Sequence, residues 1–101
     1  MTREVTLFRK DPQSIEPVGF DWTDWLGEFA TPELVVNSDW VVSGPDALLV
    51  IDSDSVVSGN LKTQAIFSGG TLGASYIVTN RVTTTSGYTE DASFPVFIEN
   101  Q

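Results

Sequence analysis

Four stretches of this 101-residue chain bring chemistry-bearing residues close together. Asp52-Ser53-Asp54-Ser55 offers the alternating oxygens that open a calcium loop, but such a loop also needs a glycine at its sixth position and a glutamate at its twelfth. Counted from Asp52, those positions hold Val57 and Thr63, so the stretch reads as a solvated turn. Asp21 and Asp24 flank Trp22 and Trp25, a mixture of carboxylates and aromatic faces found where sugars are bound or cleaved. A single helical turn, with Asp21 as its cap and Gly27 as its stop, accounts for the same residues. Ser68-Gly69-Gly70-Thr71-Leu72-Gly73 is rich in glycine yet lacks the lysine and the following helix of a phosphate loop. It reads as a turn between strands. Glu90 and Asp91, beside Thr89, read as a charged strand edge that discourages stray pairing.

What is missing narrows the chemistry further. The chain has no cysteine and no histidine, which excludes disulfides, thiolate and imidazole metal sites, and the Ser-His-Asp and Cys-His nucleophile systems. No catalytic set, cofactor or metal site is predicted. The net charge is −9. Only Arg3, Arg9, Lys10, Lys62 and Arg81 are positive, so nucleic acid and anionic membrane surfaces are not expected partners. The acidity serves solubility, or it serves a partner with a basic face. Hydrophobic residues make up 41% of the chain, too many for a disordered one, and no stretch has the roughly 18 apolar residues of a membrane helix. Met1-Thr2-Arg3-Glu4 reads as a cytoplasmic start with no signal peptide.

The elements that must position these residues are strands. β-branched and aromatic residues dominate, turn residues interrupt them every eight to twelve positions or so, and no long segment has helical periodicity. Predicted strands cover Glu4 to Arg9, Val18 to Trp22, Glu33 to Val36, Asp39 to Val42, Ala47 to Asp52, Leu61 to Ser68, Tyr76 to Thr84 and Ala92 to Glu99. The run Ala47 to Asp52 is predicted to be well buried, with Ser53-Asp54-Ser55 breaking it. In the Tyr76 strand, Tyr76, Val78 and Val82 take the inward phase; in the last strand Phe94, Val96 and Ile98 do. Pro95, which has no N–H, places that strand at a sheet edge or a bulge. One helical turn is predicted near residues 21–27. Seven to eight short strands in about 100 residues match an all-β, immunoglobulin-like antiparallel β-sandwich. Tyr76 stands where a hydroxyl can bond back to the preceding corner, and Val78 where antibody domains carry a cysteine. Trp22 and Trp25 either plug one end of the sandwich or form a contact surface.

Several of these residues together resemble a known family. Arg9-Lys10-Asp11-Pro12, then Gly19-Phe20-Asp21-Trp22-Thr23-Asp24-Trp25-Leu26, then the run from Ser68-Gly69-Gly70-Thr71 through Tyr76 to Thr84, and the hairpin Ser86-Gly87-Tyr88-Thr89-Glu90-Asp91, are similar to tailed-phage fiber–tail adaptor proteins. The resemblance spans roughly residues 9–92. It implies a non-enzymatic virion component, assembled in the host cytoplasm, that forms homo-oligomers and links fibers to a tail or neck. Residues 1–8 depart from the family pattern and are taken as an N-terminal arm or first strand, with residues 9–101 as a single domain. An arm of this kind can pair with a neighbour's sheet edge.

The residues predicted to contact partner proteins are Arg3, Phe8, Arg9, Lys10, Trp22, Trp25 and Trp40. Two other readings stay open. One is a capsid decoration protein. The other is a carbohydrate-binding module for host recognition, which would require Trp22 and Trp25 to be exposed and coplanar.

Overall fold

The structure is a computed structural model that describes residues 8–57 and 59–100, apart from the side chain of Phe8. Within them the chain forms β1 (Phe8–Lys10), β2 (Ile15–Asp21), α1 (Thr23–Leu26), β3 (Val35–Ser43), β4 (Leu49–Val57), β5 (Lys62–Gly69), β6 (Ser75–Thr84) and β7 (Thr89–Ile98). One sheet has the order β1-β7-β6-β3 and the other β2-β5-β4. Two sheets with this connectivity make the predicted immunoglobulin-like sandwich. One ladder departs from the all-antiparallel expectation: β1 runs parallel to β7, with Phe8, Arg9 and Lys10 opposite Val96, Phe97 and Ile98.

Strict alternation builds the core. In β6, and in β7 from Ala92 onward, every second residue is buried, and the buried set includes Tyr76, Val78, Val82, Phe94, Val96 and Ile98 as the phase predicted. Of these, all but Val82 join Leu49, Ala65 and Phe67 from the other sheet in the main cluster. A second cluster, at the α1 end, gathers Trp22, Trp25, Leu26, Val35, Val82 and Ala92. Phe20 touches both clusters. Its ring lies 5.9 Å from Trp22, 5.8 Å from Trp40 and 5.3 Å from Phe94, within the range where tilted and offset aromatic pairs attract.

Several strands differ from the predicted ones, and the following differences have local reasons. The pieces 33–36 and 39–42 are one strand, because a register shift between Val35 and Asn37 takes up an extra residue without ending the ladder with β6. Ser53-Asp54-Ser55 does not break β4; a second shift, between Ile51 and Ser53, lets the strand continue along β5. β4 is an edge strand, so Val50 and Leu48 face solvent and only Leu49 of the predicted apolar run is fully buried. Pro95 lies opposite Ile77 of β6, one residue before the first described β1 pair at Val96. β7 itself is an interior strand.

Buried polar groups tie the sheets together at three places. The Tyr76 hydroxyl donates to Asp46 Oδ1 at 2.6 Å and accepts the Thr71 N–H at 3.0 Å, the corner predicted from its position. Gly44 leaves room for it, since a Cβ there would stand 2.4 Å from the tyrosine ring. In the interior, Trp22 Nε1 donates to Thr63 Oγ1, which donates to Asn80 Oδ1 at 2.6 Å. The Asn80 amide in turn donates to Ser38 Oγ and to the Asp39 carbonyl, so one chain of bonds joins β5 to β6 and β3. At the opposite end Lys10 Nζ donates to the carbonyls of Asp11 and Gly69. Tyr76→Phe is expected to lower stability by about 1–3 kcal/mol, because it leaves Asp46 and the Thr71 N–H each short of a partner. A denaturant midpoint that drops with no change of slope would register this.

Candidate interaction surface

The partner-contact residues predicted from sequence separate into interior and surface. Lys10 is 0% exposed, Trp22 1% and Trp25 7%, so all three serve the chain's own packing and offer no face to a partner. Trp25 sits in α1, whose single turn is fixed by Leu26 N–H to the Trp22 carbonyl and Gly27 N–H to the Thr23 carbonyl. Asp21 accepts from the Thr23 amide and hydroxyl just ahead of that turn. The rings of Trp22 and Trp25 meet edge-on at 66°, so the pair plugs the sandwich end and forms no flat exposed platform for a sugar ring. Trp40 is half-buried, stacked on Phe20 at 23°, and its Nε1 is buried without a hydrogen-bond partner among the described residues. Arg9 is exposed and pairs with Glu99 at 3.3 Å. Arg3 and the Phe8 side chain lie outside what is described.

The register defines a surface that the sequence reading did not single out. On the outer face of the four-stranded sheet, side chains fall into rows across the strands. Arg9, Phe97 and Ser75 form one row; Pro95, Ile77 and Ser43 the next; then Ser93, Thr79 and Val41; then Asp91, Arg81 and Asp39. The centre of the face is uncharged and mixes apolar side chains with hydroxyls. Val41 is 61% and Ile77 45% exposed, and the Thr79 and Ser93 hydroxyls share a hydrogen bond at 2.7 Å. Ion pairs bound it on both sides: Arg81 grips Asp91 through two nitrogens at 2.7 and 3.0 Å, and Arg9 meets Glu99. An open groove of ≈ 440 Å³ runs between Asp39, Val41, Thr79, Arg81 and Asp91. An uncharged, partly apolar centre inside a polar rim is the anatomy of a protein interface. The sequence signal was present: Ile77 and Phe97 are large apolar residues in the outward phase of their strands.

The three-stranded sheet has a different character. Its outer side bears Asp21, Asp52, Ser53, Ser55 and Lys62, with Ile15 exposed at one end. An open groove of ≈ 360 Å³ lies over Gly19, beside Pro17, Asp21, Lys62 and Gln64. Lys62 stands 3.9 Å from Asp21. Asp52 and Asp54 are exposed on the edge strand β4, and Asp52 accepts a hydrogen bond from Ser68. Among the described residues, no group of three His, Cys, Asp or Glu is arranged to hold a metal ion. Nor, among them, is any helix long and apolar enough to cross a membrane.

Several carboxyls are held below their usual values by bonds that exist only in the fold. The Thr23 hydroxyl and amide do this for Asp21, the Thr84 hydroxyl and Ser86 amide for Glu33, the Tyr76 hydroxyl with the Leu48 amide for Asp46, and the Arg81 guanidinium for Asp91. The folded chain therefore binds fewer protons than the unfolded chain at acid pH. These groups contribute stability that is complete above their unfolded values, near 3.8 for Asp and 4.5 for Glu, and that is lost as pH falls through the lower folded values. Lys10 shifts in the same direction: burial lowers its pKa from 10.5, so its charge costs stability at neutral pH, and that cost is relieved as pH rises through the lowered value. Denaturant midpoints are expected to be level between about pH 5 and 8 and to fall steeply below about pH 4. A midpoint at pH 3 equal to that at pH 7 would contradict this.

No curated protein sequence matches the chain. A family does: the podophage GP4 fiber-tail adaptor protein gp77, matched over residues 10–97. That span takes in the Lys10 clamp, the α1 plug, the Tyr76 corner and all but the last residue of β7. The chain belongs to the podophage GP4 fiber-tail adaptor family.

Proposed function

We propose that the protein is a non-enzymatic virion component that attaches fibers to the tail or neck of a phage particle through protein–protein contacts. The family match across residues 10–97 carries this reading. The physical character of the chain supports it. Its interior is filled by side chains, its cations are few, and its net charge of −9 favours a basic protein partner over nucleic acid or membrane. In this reading the chain assembles in the host cytoplasm, needs no cofactor and acts as a homo-oligomer. Residues 9–101 act as one module, and residues 1–8 as an arm reaching a neighbour.

The acidic three-stranded side is the face offered to tail or fiber proteins. The test is a virion made without this protein. Particles that keep heads and tails but lose their fibers, and regain them when the purified protein is added back, are the expected result. Electron-microscopic label that falls on capsid faces, with fibers intact in its absence, would overturn the reading in favour of capsid decoration.

A further inference from the structure

We infer that the outer face of the four-stranded sheet is a self-association surface, on which a second copy of this chain docks face to face. The inference rests on the homo-oligomer reading above and names the surface that serves it. Charge distribution points to the occupant. The chain carries −9 overall, so two copies repel each other across most of their surfaces. The rows on this face hold two cations, Arg9 and Arg81, against two anions, Asp39 and Asp91, with Glu99 beside Arg9 just past the end of β7. Arg81 with Asp91 and Arg9 with Glu99 are already paired. Elsewhere among the described residues the only exposed cation is Lys62, set against many carboxylates. Among the described residues, the sheet face is therefore the broad region where two copies meet with the fewest unbalanced carboxylates, Asp39 alone standing outside an ion pair.

Composition agrees. Val41, Ile77, Pro95 and Phe97 lie across the middle of the face, and Thr79 and Ser93 bond to each other there, which leaves one hydroxyl fewer to strip of water. Each row spans three strands about 4.8 Å apart, and four rows about 7 Å apart give a footprint on the order of 400 Å². Two such footprints bury about 800 Å², short of the roughly 1,000 Å² of a stable specific interface. The contact is thus weak and concentration-dependent, and it becomes effective when many copies are held close together on a particle. Face-to-face contact is two-fold symmetric, so it yields pairs and does not by itself build a ring.

The experiment is sedimentation equilibrium of the full chain over a wide concentration range, with the amide spectrum followed on dilution. Val41→Glu combined with Ile77→Glu places four carboxylates in the paired interface. Ile15→Glu makes the same kind of change on the opposite sheet, where Ile15 is 67% exposed. The expected result is a monomer–dimer equilibrium that the double variant shifts toward monomer by tenfold or more and Ile15→Glu leaves in place. In the unsubstituted chain, dilution should move the amides of residues 41, 77, 79, 93 and 97. A chain that is monomeric at all concentrations, a dimer indifferent to the double variant, or dilution shifts confined to the other sheet would each overturn the inference. The dilution spectra decide the matter should the double variant fail to fold. Fiber loss in the deletion virion is read independently, so a failed adaptor reading with an intact dimer, or the reverse, is recognisable.

Discussion

Trp22→Ala is expected to cost about 3–5 kcal/mol, the range for truncating a buried tryptophan. Against a total stability of about 5–15 kcal/mol, that leaves a chain that is marginal or unfolded at 37 °C. Two losses combine. The indole is 1% exposed at the centre of the second core cluster, packed against Phe20 at 5.9 Å and Trp25 at 5.6 Å; burying about 200 Å² is worth on the order of 5 kcal/mol as an upper estimate. Its Nε1 also donates to Thr63. Trp22→Phe separates the contributions, since it keeps most of the packing while removing that donor, and should cost clearly less. Urea unfolding followed by the fluorescence of the remaining tryptophans measures both. An alanine variant within about 1 kcal/mol of the unsubstituted chain would show that Trp22 does not anchor the α1 end.

Lys10→Ala comes next, with an expected loss of about 2–4 kcal/mol. The Lys10 stem fills the sandwich end opposite α1, and its ammonium donates to the Gly69 and Asp11 carbonyls at 2.8 and 2.9 Å. Gly69 ends β5 in one sheet while Lys10 ends β1 in the other, so the side chain fastens the sheets to each other. Alanine opens a cavity and leaves two carbonyls without their donor. Lys10→Met keeps the apolar length and removes only the donors, and its cost should fall between the two. Hydrogen exchange gives the local readout. The Glu99 N–H, which bonds to the Lys10 carbonyl at 2.9 Å, should lose protection in the alanine variant while Val78 and Val82 keep theirs. Equal loss at all of these amides would mean that the lysine acts only through global stability.

How much of this was legible depended on how far each residue's environment was set by its immediate neighbours. β6 and β7 could be read residue by residue because each buries one face, so the phase of Tyr76, Val78, Phe94 and Ile98 follows from alternation alone. The Tyr76 corner was legible too, since its bond reaches back only to Thr71 and across to Asp46. β4 was not. An edge strand with a register shift needs few apolar residues, so a buried run was predicted where Val50 and Leu48 are exposed. Lys10 looked like a surface cation because its two acceptors come from the adjacent turn and from a residue 59 positions away. Asn80 could have been found: it shares the inward phase of Tyr76, Val78 and Val82, and a polar residue in that phase requires buried partners. The self-association face could not be assembled from one strand, because its rows draw on four strands whose order the sequence leaves open.

The parallel pairing of β1 with β7 bears on how such a protein withstands tension. In a parallel ladder the chain enters β1 at one end and leaves β7 at the other. A pull applied through the residue before Phe8 and the residue after Ile98 therefore runs along the strands in opposite senses. The pairs Phe8–Val96, Arg9–Phe97 and Lys10–Ile98 are then strained together and must yield at once, whereas an antiparallel hairpin opened from its ends gives way one pair at a time. The Lys10 clamp closes the same ladder. Tension along the line between β1 and β7 therefore meets a ladder that yields as a unit.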